Sequence, residues 1–181
     1  MKKLLYEGDL KENPSVEIGK KAPDFVLNTS AGDEWRLSDH LGKVIALLFY
    51  PKNETLVCTR QMCSVRDNWR DYLETKAEII GISPGTTEDH KAFAEKHELP
   101  FQILADVERK ITEQYGFHWF FPTFFVRTIV IIDAEGLIRS RRVMLRAFRP
   151  TDRSVIRSIY TARADALKEK YKTLKIKKKD E

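Results

Sequence analysis

Apolar positions follow two patterns that alternate along the chain. Continuous apolar runs predict strands buried on both faces, and spacings of three or four residues predict amphipathic helices. The runs are GKVIALLFY (42–50), AEIIGIS (77–83) and FQILAD (101–106). The helical spacings cover 58–75, a segment that opens at Thr86, 107–116 and 151–171. This alternation predicts an α/β fold in which helices cover both faces of a central sheet.

Two other segments predict antiparallel pairs of strands. Segment 21–37 has the pattern of two short strands around the turn SAGDE, and segment 127–145 that of a hairpin turning at AEG. The late hairpin implies an antiparallel edge, so we expect a mixed sheet. Thr86 and Asp89 have the spacing of a capping box, which predicts where the helix after the second buried strand begins.

Charge and periodicity divide the chain into three parts. The first part, 1–18, shows little periodicity and is expected to form an arm. One domain is expected over 19–160, and a basic helix or tail over 161–181. The net charge is +5, and segment 168–181 holds seven lysines against three acidic residues. We interpret this tail as a solvated terminus and do not expect nucleic-acid binding, although a basic tail can also contact nucleic acid or an anionic membrane.

Composition favours a folded protein in a reducing compartment. The chain has 181 residues, of which 42% are hydrophobic and 33% charged, enough for one domain with its own core. Two cysteines are too few for a secreted disulfide scaffold, so we expect a cytoplasmic protein. No apolar run approaches the length of a membrane span, and the opening MKKLL is followed at once by the polar YEGD.

Both cysteines fall in the short segment PKNETLVCTRQMC (51–63). Cys58 is placed at the first turn of a predicted helix, where unpaired backbone N–H groups and the positive end of the helix dipole stabilise a thiolate. The hydroxyl of Thr55 can reach the sulfur or an oxygen bound beside it. Pro51 begins the loop, offers no N–H and can shield the sulfur from water.

The two thiols are expected on different sides of this helix. Cys58 shares the apolar stripe of Met62 and Val65, whereas Cys63 lies about 140° away on the polar side. In an intact helix their Cα atoms are about 8.6 Å apart, and a disulfide needs about 7 Å or less. A bond between them therefore requires the first turns to unwind, which makes the pair a candidate two-state switch.

Other interpretations of the cysteines remain open at this point. A lone cysteine on an apolar stripe is most often a small core residue. A zinc site is disfavoured because one C-x4-C pair has no second ligand pair, and we expect His90 and His97 to be at the surface or partly packed. A thioredoxin-type dithiol is disfavoured because C-x-x-C is absent.

The segment FYPKNETLVCTRQMCSVRD resembles the active-site segment of the peroxiredoxins, most closely the peroxiredoxin Q group, or bacterioferritin comigratory proteins. The resemblance continues in GKKAPDFVL, GISPGTTEDHKAFAEKHELPFQILAD and RTIVIIDAEGLIR, in that order. It implies a thioredoxin-like fold. The family's Pro-x-x-x-Thr/Ser-x-x-Cys motif falls on Pro51, Thr55 and Cys58, its second cysteine on Cys63 and its catalytic arginine on Arg127.

The resemblance implies a thioredoxin-dependent peroxidase that needs no metal or other cofactor. The Cys58 thiolate would attack hydrogen peroxide or an organic hydroperoxide and become a sulfenic acid. Cys63 would then form a disulfide with Cys58, which a thioredoxin- or glutaredoxin-like protein would reduce. Arg127 would stabilise the thiolate and hold the peroxide, Thr55 would orient it, and Pro51 would limit solvent access. We expect a monomer or a homodimer.

The chain departs from the family pattern in two places. Leu56 and Val57 stand where many members have Pro-Gly or another small pair, and segment 117–128 is unusually aromatic, as core, pocket lid or contact surface. Three alternative functions remain: a one-cysteine peroxidase resolved by an external thiol, a redox-sensing interaction protein, and a nucleic-acid binder that uses the basic tail.

Overall fold

A seven-stranded mixed sheet forms the centre of the molecule in the computed structural model, which describes residues 16–116 and 122–177. The strands are Val26–Thr29 (β1), Glu34–Arg36 (β2), Ile45–Phe49 (β3), Glu78–Ser83 (β4), Gln102–Ala105 (β5), Val126–Ile132 (β6) and Ile138–Leu145 (β7). The α-helices are Leu56–Asp67 (α1), Trp69–Glu74 (α2), Thr87–Lys96 (α3), Lys110–Gly116 (α4) and Asp152–Lys177 (α5). Single 3-10 turns lie at Leu37–His40 and Thr123–Phe125.

The strand order β2-β1-β5-β4-β3-β6-β7 confirms the expected mixed sheet. The three predicted apolar runs become the parallel strands β3, β4 and β5, and every residue of β3 is buried. Antiparallel strands flank them, with β1 and β2 on one side and β6 and β7 on the other. The predicted capping box is present, because Thr86 Oγ1 accepts a hydrogen bond from the backbone N–H of Asp89.

Hydrophobic cores lie on both faces of the sheet, as predicted. On one face, buried residues of α1, α2, α3 and α5 pack together with Ala46 and Leu48 of β3. On the other face, Tyr115 of α4 packs with Trp35 and with Leu47. Leu47 lies between Ala46 and Leu48 in β3, so successive side chains of this strand point to opposite faces. A strand that presents side chains to both faces in turn needs apolar residues at every position, which explains its continuous apolar run.

Two helix boundaries differ from the prediction. The expected helix over 58–75 is two helices that meet at Asn68, whose φ of −104° and ψ of 21° are not helical. The Asn68 side chain donates to the carbonyl oxygen of Ser64, a local bond by which asparagine competes with helix continuation. The last helix continues past the predicted end near 171 to Lys177, the last described residue, and crosses the boundary expected at residue 160 without a break. Most of the predicted arm lies outside the described residues.

The topology brings the start of β6 beside the end of β3. The two strands are antiparallel, and Phe49, the last residue of β3, pairs with Thr128. Arg127 therefore lies next to the loop that leads into α1. Among the described helices, none is both long and apolar enough to span a bilayer.

Candidate active site

Cys58 lies in the first turn of α1 with its side chain in the core. The helix is capped by Thr55, whose Oγ1 accepts from the Cys58 backbone N–H at 3.3 Å and whose carbonyl accepts from Thr59 N at 2.8 Å. Cys58 is 1% exposed. The position confirms the expected placement of this cysteine at a helix N-terminus, where the dipole and the free N–H groups favour a thiolate.

The guanidinium group of Arg127 donates a hydrogen bond to the Cys58 sulfur. Its Nη2 lies 3.1 Å from Cys58 Sγ, and the arginine itself is 1% exposed. Two further acceptors fix the guanidinium: Gln61 Oε1 at 2.6 Å from Nη1, and the Arg146 carbonyl oxygen at 3.3 Å from Nε. A charged donor held by three partners in a buried site is preorganised toward the sulfur.

Gln61 and the Arg146 carbonyl were not identified from the sequence. Gln61 is buried although it is polar, and it lies one turn after Cys58 on the same face of α1. The spacing of three residues from Cys58 was the available signal, because side chains so spaced are neighbours on a helix. The carbonyl of Arg146 follows β7 and has no side-chain signature in the sequence.

A chain of hydrogen bonds shapes the loop before Cys58. Tyr50 Oη donates to Asn53 Oδ1 at 2.8 Å, Asn53 Nδ2 lies 2.9 Å from His90 Nδ1, and His90 Nε2 lies 2.9 Å from the Ser83 carbonyl oxygen. The carbonyl needs a donor, so Nε2 carries the proton and Nδ1 accepts from Asn53. Burial raises the pKa of Tyr50 well above its ordinary value and lowers the pKa of His90.

The expectation that His90 is at the surface or partly packed is wrong. Its side chain is fully buried under the loop, and its two ring nitrogens each have a hydrogen-bond partner. A neutral histidine with both nitrogens satisfied can be buried at low cost, which periodicity alone does not reveal.

A pocket of about 570 Å³ opens beside the sulfur. Its lining comprises Pro51, Lys52, Thr55, Leu56, Val57, Cys58, Arg109, Phe124, Arg127, Arg146 and Ala147. The pocket therefore brings together four of the five predicted site residues, Cys63 being the exception. Phe124 belongs to the aromatic segment, is 45% exposed and lines the pocket, whereas residues 117–121 of that segment lie outside the described residues.

Cys63 faces away from this pocket. It is partly buried, it is a free thiol like Cys58, and its Sγ lies 3.8 Å from His97 Nδ1. The expected inward and outward orientations of Cys58 and Cys63 are thus observed. Both cysteines belong to the same unbroken helix, α1, so a disulfide between them requires that helix to unwind.

Comparisons with known proteins identify the family of the chain. The model of the AhpC/TSA family matches residues 18–141. Peroxiredoxin Bcp of Bacillus subtilis is 41% identical over 128 residues, which cover 67% of this chain and 82% of the relative. The chloroplastic peroxiredoxin Q of Triticum aestivum is 38% identical over 125 residues, which cover 68% of this chain and 58% of the relative.

Solved structures agree on the fold. The crystal structure of peroxidoxin BcpB from Mycobacterium tuberculosis matches 82% of this chain and 97% of its own length, with a TM-score of 0.68 and 27% identity. A mixed sheet with helices on both faces, together with the match to this structure, defines a protein of the thioredoxin-like fold. The chain belongs to the AhpC/TSA family, and within it to the group that contains peroxiredoxin Bcp and peroxiredoxin Q.

Proposed function

We propose that this thiol-dependent peroxidase reduces hydrogen peroxide and organic hydroperoxides with Cys58 as the peroxidatic and Cys63 as the resolving cysteine. The observation that carries the proposal is the 3.1 Å contact between Arg127 Nη2 and Cys58 Sγ in a pocket open to small molecules. A buried sulfur paired with a buried cation is stabilised as the thiolate, which is the nucleophilic form.

In the first step the Cys58 thiolate attacks the terminal oxygen of the hydroperoxide. A sulfur–oxygen bond forms, the O–O bond breaks, and the leaving oxygen takes a proton to become water or an alcohol, which leaves Cys58 as a sulfenic acid. Arg127 stabilises the negative charge on the sulfur and then on the separating oxygens. Thr55 Oγ1 accepts from Cys58 N, so its own hydrogen is left to orient a bound peroxide, while Pro51 limits the entry of water.

In the second step the first turn of α1 unwinds and Cys63 attacks the Cys58 sulfenic acid. The Cys58–Cys63 disulfide forms and hydroxide leaves as water. A thioredoxin- or glutaredoxin-like dithiol protein then reduces the disulfide through a mixed disulfide. We place this cycle in a reducing compartment, the cytoplasm, because two cysteines are too few for the structural disulfides of a secreted scaffold.

The size and wall of the pocket support organic hydroperoxides as substrates. A volume of about 570 Å³ exceeds what hydrogen peroxide needs, and the Leu56 and Val57 side chains line it together with Phe124. This explains the bulk of Leu56 and Val57. They extend the apolar wall of the pocket beside the sulfur, where small residues would leave an opening more accessible to water.

Phe124→Ala is expected to lower kcat/KM for cumene hydroperoxide about tenfold, the loss of apolar contact with one aromatic ring. The rate with hydrogen peroxide should change less than about twofold, since so small a substrate gains little from that ring. Phe148→Ala removes a phenylalanine that is 54% exposed and outside the pocket lining, and serves as the matched control. Equal losses with both peroxides would show that Phe124 does not contact the substrate.

The oxidation products test the proposed cycle directly. Reduced wild type treated with an equimolar amount of hydrogen peroxide should lose two hydrogens and yield a Cys58–Cys63 disulfide in peptide mass spectra. Cys63→Ser should stop one step earlier, with a sulfenic acid on Cys58 that dimedone traps. Failure of dimedone to label Cys58 in Cys63→Ser, or absence of the Cys58–Cys63 disulfide in oxidised wild type, would refute the assignment.

The same variant decides between two and one catalytic cysteines. Cys63 contacts His97 and not Cys58, and this separation is the observation that favours the one-cysteine alternative. If Cys63 resolves the sulfenic acid, Cys63→Ser should lose thioredoxin-coupled turnover while a small thiol such as dithiothreitol still supports it. Full thioredoxin-coupled turnover in Cys63→Ser would instead establish the one-cysteine cycle.

A further inference from the structure

We propose that His97 is the base that removes the proton from Cys63 before it attacks the sulfenic acid, and that Glu54 positions His97 for this task. The inference rests on the proposed resolving role of Cys63. It assigns a function to two residues that lie outside the peroxide pocket.

Three side chains form a line from the sulfur to solvent. Cys63 Sγ lies 3.8 Å from His97 Nδ1, and His97 Nε2 lies 3.3 Å from Glu54 Oε1 and 3.5 Å from Oε2. A carboxylate only accepts hydrogen bonds, so Nε2 carries a proton, and in the neutral imidazole this leaves the lone pair of Nδ1 facing the thiol. The edge of the Phe93 ring packs against the imidazole, with centroids 4.7 Å apart.

The charges around His97 keep Glu54 ionised. Lys96 Nζ donates to Glu54 Oε1 at 3.0 Å, and this bond lowers the pKa of the Glu54 carboxyl group below its usual value. A lowered carboxyl pKa means that the anion is stabilised, so Glu54 is ionised and accepts a hydrogen bond from the imidazole throughout the neutral range. The other charged groups beside the pair are Arg66, whose Nη1 donates to the His97 carbonyl oxygen at 2.7 Å, and Glu98, the next residue in the chain.

The half of α1 that carries Cys63 is hydrogen-bonded to α5 and to the end of α3, whereas the half that carries Cys58 is held by its own cap and by Arg127 of β6. Ser64 Oγ donates to Asp152 of α5 at 2.5 Å, and Arg66 bonds the end of α3. The first turn is held by the Thr55 cap and the Arg127 contact with Cys58. Unwinding therefore moves the Cys58 turn toward Cys63, and Cys63 keeps its contact with His97 during the attack.

The step balances as a disulfide condensation. The Cys63 thiol transfers its proton to His97 Nδ1, and the resulting thiolate attacks Cys58 Sγ. The S–S bond forms while the S–O bond of the sulfenic acid breaks, and the departing hydroxide takes a proton from the imidazolium to become water. Cys63 sulfur is oxidised and Cys58 sulfur is reduced, so no other oxidant or reductant takes part.

The Cys58→Ser background isolates the Cys63 thiol for a direct test. With one cysteine left, the rate of alkylation by iodoacetamide reports ionisation at Cys63 alone. A free thiol, with a pKa of about 8.5, is only a few per cent ionised at pH 7, so loss of its base slows alkylation. His97→Gln should slow alkylation about tenfold at pH 7, and Glu54→Gln about threefold. His40→Gln removes a histidine that pairs with Glu78 instead, and should leave the rate unchanged.

A pH profile separates a base from a packing residue. The deficit of His97→Gln should close as the pH rises to about 9.5, because hydroxide then ionises the thiol without help. A deficit that persists at high pH, or no deficit at pH 7, would overturn the proposal.

In the chain with both cysteines, His97→Gln should slow disulfide formation after a peroxide pulse without slowing sulfenic acid formation. Quenched samples trapped with dimedone distinguish the two steps. Disulfide formation at the wild-type rate would also overturn the proposal. A failure of Cys58 to form any sulfenic acid would refute the proposed function instead and would leave the alkylation result standing.

Discussion

Cys58→Ser is expected to reduce peroxide consumption by at least about 10⁴-fold, to the rate of buffer with reductant alone, since removal of an enzyme's nucleophile has effects of this size. A serine hydroxyl stays protonated at neutral pH and its oxygen does not form a sulfenic acid. Cys63 cannot compensate, because it faces His97 and lies outside the pocket that holds Thr55 and Arg127. Coupled turnover with a thioredoxin system and direct peroxide assay both measure the effect.

The fold of Cys58→Ser should remain intact, which makes the loss attributable to chemistry. The serine oxygen can accept from Arg127 Nη2 as the sulfur does, so the buried guanidinium keeps its third partner. Circular dichroism and thermal melting check this. Cys63→Ser is the matched control: it changes the same atom type on the same helix and should keep the first, stoichiometric peroxide reaction. Residual turnover in Cys58→Ser above about a hundredth of wild type would be incompatible with Cys58 as the nucleophile.

Local periodicity was sufficient to predict those features of the site that depend on a single strand or helix. The apolar run of β3 and the helical spacing after it predicted where strand, loop and helix meet, and the angular positions predicted that Cys58 points inward and Cys63 outward. These features depend on residues within about ten positions of each other, so the sequence contains them directly.

Contacts between distant segments were beyond such reasoning. Arg127 lies 69 residues from Cys58 in sequence, and only the pairing of Phe49 with Thr128 places it over the sulfur. The resemblance to peroxiredoxins supplied Arg127, whereas spacing and composition did not. The partner of Cys63 was missed for the same reason, because His97 is the C-cap residue of α3 and lies 34 residues away in sequence.

The buried polar residues show a second limit. Gln61 and His90 are fully or almost fully buried, and a hydropathy pattern assigns such residues to the surface. Each is buried because its hydrogen-bond partners come from other elements, Arg127 for Gln61 and the Ser83 carbonyl for His90. Only the assembled structure contains those partners.

Arg127→Gln is expected to slow oxidation of Cys58 by hydrogen peroxide about 10²- to 10³-fold, the usual cost of removing one preorganised charged donor. The substitution removes two contributions at once: the charge that favours the thiolate and the donor that stabilises the separating oxygens. Stopped-flow measurement of the single oxidation step, with Cys63→Ser as the background, avoids any effect on resolution.

The pH dependence separates the two contributions of Arg127. Above about pH 9.5 an unassisted thiol is ionised, so the part of the deficit due to the thiolate should disappear there and the part due to the transition state should remain. Arg127→Lys should recover only part of the rate, because one ammonium group cannot reproduce the planar fork that contacts Cys58, Gln61 and the Arg146 carbonyl together.

The matched control for Arg127→Gln replaces another arginine that lies on a strand and has several hydrogen-bond partners. Arg142 of β7 donates to Ser154 and Ser158 of α5, so Arg142→Gln should lower the melting temperature without changing the oxidation rate. If Arg127→Gln oxidised as fast as wild type at pH 7, the 3.1 Å contact would be structural only. The thiolate would then depend on the N-terminus of α1, where Cys58 is the third residue after the Thr55 cap.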